Sequence, residues 1–193
     1  MKYYAVKTND ENKIFTSWDE CSLFLKGKKQ ILYKAFKTEE EAKDFICGKE
    51  ELPKHDIPTA YIDGSYDGNT GRYSFGGVLI IGNEILSFNK AYDKDEYSSA
   101  RNVAGEIKGA GYIIKYCINR NIKELTIYYD YIGIEKWFTK EWKASSDIAK
   151  VYVDFVDGIR EKIKIHFVKV KSHSNDLYND QADALAKAAL GLK

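Results

Sequence analysis

Residues 59–80, TAYIDGSYDGNTGRYSFGGVLI, set the reading of the whole chain. Two runs rich in aromatic and β-branched residues, AYIDGS and RYSFGGVLII, flank a cluster of Asp, Gly, Asn and Thr. That is the pattern of two strands joined by a turn. A third run, EILSFNKAY, follows after another Gly-Asn break and extends the meander. One residue fits poorly: Asp63 is the single acid inside the first run. An Asp before a Gly is an ordinary turn signal, so taken alone it is only a candidate for chemistry.

Toward the C-terminus the period changes. NVAGEIKGAGYIIKYCINR places Val103, Ile107, Ala110, Ile114 and Cys117 at helical spacing. ELTIYYD then reads as a strand, a mostly helical region covers about 132–160, KIKIHFVKV reads as a strand, and NDQADALAKAAL closes as a helix. Three strands, then helix, strand, helix, strand and helix, predict an α/β domain with a mixed five-stranded sheet and helices packed on it.

Toward the N-terminus the chain predicts a separate, small α+β domain over residues 1–47. YYAV and KIF bracket the turn-forming TNDEN, which suits a hairpin. SWDECSLFL and TEEEAKDFI are helix-like, with Ser17/Glu20 and Thr38/Glu41 spaced as capping boxes. Between them KGKKQILYKAF carries Lys26, Lys28, Lys29 and Lys34 with no acid, interleaved with Phe24, Tyr33 and Phe36 nearby. CGKEELPKHDIP holds both prolines and few apolar residues. Residues 48–58 are therefore expected to be a linker, and 59–193 the larger domain.

Composition narrows the function classes. With 193 residues, 44% hydrophobic and 31% charged, the chain can bury a core and is not a disordered sequence. A net charge of +1 leaves open a local basic stripe for a polyanion. Cys21, Cys47 and Cys117 have no paired spacing, which argues against a disulfide framework and a CxxC zinc site. No signal-like or membrane-spanning run is visible, so a cytoplasmic protein with no membrane partner is expected.

The remaining acids are informative by position. Glu106 borders the apolar stripe of the first long helix, where a rim or snorkelling glutamate is the ordinary alternative. Asp130 ends ELTIYYD on the face of Thr126 and Tyr128 and would otherwise cap the next helix. A right-handed strand–helix–strand crossover tends to make its two parallel strands neighbours, bringing Asp63 beside Asp130. Two carboxylates about 4 Å apart repel by roughly 4 kcal/mol at an effective dielectric of 20, so a cluster of them calls for cations. Hard oxygen donors favour Mg²⁺ or Mn²⁺. In the last helix Asp176, Asp180 and Asp183 compete for a fourth place; Asp183 shares a side with Ala186 and Leu190, whereas the other two suit capping.

These motifs, in order, resemble the type 1 ribonucleases H: TAYIDGSYDGNTGRYSFGGVLI, RNVAGEIKGAGYII, LTIYYD and FVKVKSHSNDLYNDQADALAKAAL. The resemblance implies that family's mixed five-stranded sheet with helices on both faces. It also implies endonucleolytic hydrolysis of the RNA strand of RNA/DNA hybrids by two Mg²⁺ ions, with Mn²⁺ as an alternative, giving 5′-phosphate and 3′-hydroxyl ends. By the same resemblance Asp63, Glu106, Asp130 and Asp183 would be the catalytic metal ligands, and His173 would act in proton transfer or product release. Asn69 and Asn102 would meet backbone phosphate or the minor groove. The backbone at Gly64 and Ser65 would meet the RNA 2′-hydroxyl, the group that tells RNA from DNA.

Two positions depart from the family pattern: Ile132 stands where many relatives carry Gln, and Arg101 where Thr is common. The N-terminal segment is similar to the hybrid-binding, viroplasmin-like domain, with Trp18, Tyr33 and Lys34 in the nucleic-acid-binding places and Ala35 where a second Lys is usual. The partner implied is the hybrid itself, with no protein partner. A DNA-cutting enzyme of the same fold and a non-catalytic hybrid binder are the alternatives.

Overall fold

The computed structural model describes residues 2–8, 11–25, 31–47, 56–170 and 176–192. By contact the chain divides into two compact units, Met1–Lys54 and His55–Lys193. Most of the expected linker, residues 48–55, lies outside the described residues, as do His173 and the lysines at 26, 28 and 29.

The first unit is a three-stranded antiparallel sheet of order β2-β1-β3, built from β1 (Tyr3–Lys7), β2 (Asn12–Phe15) and β3 (Leu32–Phe36). The expected hairpin pairs Tyr4 with Phe15 and Lys7 with Asn12. Helix α1 (Trp18–Leu25) comes between β2 and β3 in the chain, and α2 (Glu39–Ile46) follows β3. α2 opens with the predicted capping box. Thr38 Oγ1 accepts from the Glu41 N–H at 3.2 Å, and Glu41 Oε2 accepts from the Thr38 N–H at 3.1 Å. Val6, Cys21 and Ile31 form its buried centre, with Trp18, Tyr4 and Tyr33 packed half-buried against them.

In the second unit the meander is β4 (Thr59–Tyr66), β5 (Tyr73–Ile81) and β6 (Glu84–Tyr92). Helix α3 (Asn102–Asn119) leads to β7 (Glu124–Tyr129). The region expected to be mostly helical resolves into α4 (Gly133–Phe138) and α5 (Asp147–Asp157). β8 (Lys164–Lys169) and α6 (Leu177–Leu190) complete the unit. The sheet order is β6-β5-β4-β7-β8, with β4, β7 and β8 parallel and the meander antiparallel. The sheet is thus mixed and five-stranded, as the run of elements predicted.

Side chains alternate between the faces of a sheet, and two adjacent glycines of β5 report what covers each face. A Cβ on Gly76 would lie 2.0 Å from the Ala182 carbonyl oxygen of α6, and one on Gly77 would lie 2.7 Å from Ile113 Cδ1 of α3. α6 therefore covers one face and α3 the other. Gly76 is bare because the α6 backbone presses directly on it. On the α3 face Ile62, Leu79, Ile107, Ile113, Ile114, Leu125, Ile127 and Tyr129 belong to a buried core shared with α4 and α5 through Ile134, Trp137, Ile148 and Tyr152. Among the described residues no helix is long and apolar enough to cross a membrane.

Candidate active site

The face rule also distributes the acids. Asp63 pairs with Gly76 and so shares the α6 face, whereas Gly64 points to the α3 face. A Cβ on Gly64 would meet the Asn102 carbonyl oxygen at 2.1 Å and the Glu106 nitrogen at 2.8 Å. Gly64 therefore lets the first turn of α3 rest on β4, which brings Glu106 to the strand that carries Asp63. β4 and β7 run parallel with Tyr61 opposite Tyr128, and those rings stack at 4.4 Å. Continuing both chains by two residues keeps the face and points Asp63 and Asp130 the same way. Asp183 comes from α6. One end of the sheet thus receives acids from β4, from the end of β7 and from a helix on each face.

Glu106 is 1% exposed. Its Oε1 accepts the backbone N–H groups of Asp130 and Tyr131, each at 3.1 Å. Burial first, and then the charge of Asp130, hold its carboxyl well above the usual carboxylate range. Asp63 is pushed up to about 7, chiefly by burial and then by the charges of Asp130 and Asp183; the Gly64 N–H and Lys187 oppose this. The Gly64 N–H donates to Asp63 Oδ1 at 2.7 Å.

Of the three competing aspartates in the last helix, Asp176 caps it, accepting from the Tyr178 and Asn179 N–H groups at 3.0 and 3.2 Å. Asp180 is exposed in the first turn. Asp183 is the one whose charge acts on Asp63, and Lys187 Nζ donates to its Oδ2 at 2.7 Å.

Among the described residues no three Asp, Glu, His or Cys side chains converge closely enough to enclose a metal ion as they stand. The donor set nevertheless fits a hard divalent cation. Every donor is a carboxylate oxygen, and the raised Asp63 and Glu106 carboxyls reflect burial together with neighbouring negative charge, which Lys187 only partly opposes at Asp63.

Other expected positions are placed as follows. Asn102 is the exposed first residue of α3, whose N-terminus has no side-chain cap. Arg101 precedes it with φ 54°, a strained backbone for a non-glycine residue. Asn69 lies exposed in the β4–β5 turn, its N–H donating to Asp67 Oδ1 at 2.9 Å. Ser65 is buried in β4. In the N-terminal unit Trp18 lies 5.4 Å from Tyr4 and 5.8 Å from Tyr33, ring centre to ring centre. Lys34 Nζ stands 5.3 Å over the Phe36 ring, Phe36 is buried against Phe45, and Ala35 is exposed.

Sequence reading missed three contributors. The Asp130 and Tyr131 N–H groups that hold Glu106 are main-chain atoms and leave no mark in residue type. Lys187, four residues after Asp183, was legible as an i,i+4 pair. The buried Tyr129 hydroxyl, bonded to Glu135, reads in the sequence only as one more apolar strand position.

An α/β domain with this strand order and with acids gathered at one sheet end is the architecture of the RNase H fold. The RNase H family matches residues 56–191, and the Ribonuclease H1 N-terminal domain matches residues 2–46. The chain belongs to the ribonuclease H family of endoribonucleases, with that N-terminal domain ahead of the catalytic one. It is similar to the Ribonuclease H of Chlorobium phaeobacteroides, at 25% identity over 136 residues that cover 67% of this chain and 92% of that one. In solved structures it is similar to RNase H1 of Halobacterium salinarum, with a TM-score of 0.57 and 20% identity over 69% of this chain and 97% of the other. It is likewise similar to LC11-RNase H1 in complex with RNA/DNA hybrid, with a TM-score of 0.53 and 16% identity over 69% of this chain and 99% of the other.

Proposed function

We propose that this chain hydrolyses the RNA strand of RNA/DNA hybrids endonucleolytically, leaving 5′-phosphate and 3′-hydroxyl ends. What carries the reading is that Asp63, Glu106, Asp130 and Asp183 are borne toward one end of the sheet, near enough that the charges of Asp130 and Asp183 act on Asp63 and that of Asp130 on Glu106. Family membership supports it, as does the fold shared with an enzyme described in complex with RNA/DNA hybrid.

In this reading those four carboxylates would hold two Mg²⁺ ions, or Mn²⁺, which would supply Lewis acidity for activating water and stabilising the leaving oxygen. The chain's own groups do the positioning. Two main-chain N–H groups fix Glu106, and the Gly64 N–H fixes one oxygen of Asp63. Lys187 donates to Asp183 Oδ2 and balances its charge. A new O–P bond forms from water, the P–O3′ bond breaks, and the 3′-oxygen leaves with a proton; His173 is proposed to serve that proton or the release of product. Gly64 and Ser65 present main chain to the 2′-hydroxyl, while Asn69 and Asn102 meet phosphate or the minor groove.

In the N-terminal unit Trp18 and Tyr33 offer an aromatic surface and Lys34 a cation, a combination suited to sugar and phosphate contacts. With residues 48–58 as linker, the unit acts as a tether for the hybrid. Three free cysteines, two of them buried, suit a reducing compartment such as the cytoplasm.

The test is incubation of the protein with an RNA/DNA hybrid, duplex RNA and duplex DNA, each with Mg²⁺, with Mn²⁺ and with chelator. Metal-dependent loss of RNA from the hybrid alone is expected. Cutting of duplex DNA would point to a DNA-directed nuclease, and binding without cutting to a hybrid-binding protein; either outcome rejects the reading.

A further inference from the structure

The turn that follows β7 does two jobs at once: it carries Asp130, and it points two N–H groups at Glu106. Such a turn is held in place by whatever fixes Tyr131 and the start of α4. Four contacts do this. The Tyr131 ring packs 5.7 Å from Trp137, centre to centre. Trp137, 6% exposed, leans on the buried Tyr152 ring at 6.5 Å, and the Tyr152 hydroxyl donates to the Ile134 carbonyl at 3.3 Å. The Tyr129 hydroxyl bonds to Glu135 in the same short helix.

Between the first two rings lies Gly133. A Cβ there would stand 2.4 Å from Tyr131 Cε1 and 2.9 Å from Trp137 Cζ3, separations that real side chains do not sustain. The rings occupy the volume that any other residue would need. Gly133 opens α4 with no unusual backbone angle, so its bareness serves the rings and not a turn.

We propose that Tyr131 and Trp137, seated over the bare Cα of Gly133, form an aromatic brace that fixes the turn after β7 and thereby holds Glu106 in register with Asp130. Tyr131, Gly133 and Trp137 are positioning residues; the brace acts through the main chain and through Glu106. It rests on the reading above in which Glu106 holds a metal ion. Being made of ring packing, the brace needs the Tyr131 ring and not its hydroxyl.

The experiment compares the full chain with Gly133→Ala, Tyr131→Ala, Tyr131→Phe, the Tyr131→Ala/Gly133→Ala double variant and Glu106→Gln. Three quantities are read: kcat and KM on a hybrid, Mg²⁺ binding by calorimetry without substrate, and the melting temperature. Gly133→Ala is expected to lower kcat about tenfold or more with KM little changed, because displacement of a group by about 1 Å can cost that much, and to weaken Mg²⁺ binding in parallel. Tyr131→Ala should lose less, and Tyr131→Phe should match wild type.

In the double variant most of the damage done by the added methyl at position 133 should vanish, leaving kcat and Mg²⁺ affinity close to those of Tyr131→Ala alone, since the nearer of the two rings it collides with is gone and only Trp137 Cζ3, at 2.9 Å, remains. The proposal is overturned if the two single losses simply multiply, or if Tyr131→Ala and Gly133→Ala each stay within about twofold of wild type. Should Gly133→Ala fail to fold, a Tyr131→Ala variant of unchanged kcat and Mg²⁺ affinity overturns it alone, and a Tyr131→Ala loss repaired by Phe supports it. Full activity in Glu106→Gln would instead remove the metal-ligand reading beneath it.

Discussion

We predict that replacing Asp63 by Asn abolishes turnover and yet makes the metal-free protein more stable. An ionised Asp63 lies in a largely buried place facing the charges of Asp130 and Asp183, which displaces its carboxyl from 3.8 to about 7. A displacement of that size corresponds to on the order of 4 kcal/mol between the protonation states, an upper bound because water entry and side-chain movement relieve part of it. The sign follows from proton uptake. Between about pH 4 and 7 the folded chain keeps a proton that the unfolded chain has released, so stability falls as pH rises through that window and stays low above it.

The amide introduced by Asp63→Asn carries no charge and can still accept the Gly64 N–H that now donates to Asp63 at 2.7 Å. At pH 8 in chelator, Asp63→Asn should therefore be more stable by about 1–3 kcal/mol, which for a domain of this size raises the melting temperature by several degrees. At pH 4 the gain should shrink toward zero. Mg²⁺ should narrow the gap by stabilising the wild type more. Melting curves from pH 4 to 8, with and without Mg²⁺, decide the matter. A variant that melts at or below the wild type at pH 8 in chelator would refute the argument that this carboxylate is held at the expense of stability.

Asp183→Asn should cost turnover at least about a hundredfold if it is a ligand, while Asp180→Asn, altering an exposed residue in the first turn of α6, should stay within a few-fold; single-turnover assays of both decide between them. Gly64→Ala forces a methyl against two main-chain atoms of α3, at 2.1 and 2.8 Å, so it should destabilise by about 1–3 kcal/mol as overpacking does, seen in denaturant titration, and should also lower kcat by shifting Glu106. A chain starting at Pro58, or Trp18→Ala in the full chain, should lose affinity for long hybrids and show a flatter salt dependence with kcat at saturation little changed; equal affinity across salt would show that the N-terminal unit does not hold hybrid.

Period and punctuation were enough to read the architecture. Alternation and turn residues defined the meander, and the apolar spacing of Val103, Ile107 and Ala110 defined α3. The neighbourhood of β4 and β7 followed from the handedness of the crossover. The acids were legible because each sits where its element should be apolar or should end. What sequence could not supply is main-chain geometry: the N–H groups on Glu106 belong to Asp130 and Tyr131 whatever their side chains. Gly64 and Gly76 read as turn or strand-weakening residues, yet their role is to let two helices approach from opposite sides, a fact that exists only once β4 and β5 are paired. Among Asp176, Asp180 and Asp183 the helical phase shared with Ala186 and Leu190 already favoured Asp183, and the structure adds that Asp176 caps α6 while the charge of Asp183 acts on Asp63.

The anchorage of α6 has a further consequence, for how the protein is switched off by heat. That helix rests on Gly76 through main chain and is tied to β5 by the Ser74 hydroxyl, which donates to the Ala186 carbonyl at 2.6 Å, while the larger core lies on the other face with α3, α4 and α5. Partial openings of a fold need less energy than complete unfolding. Undocking of α6 alone would carry Asp183 away and leave the opposite layer assembled. Inactivation on warming is therefore expected to set in below the global melting temperature and to reverse on cooling, which activity measured alongside melting curves would check.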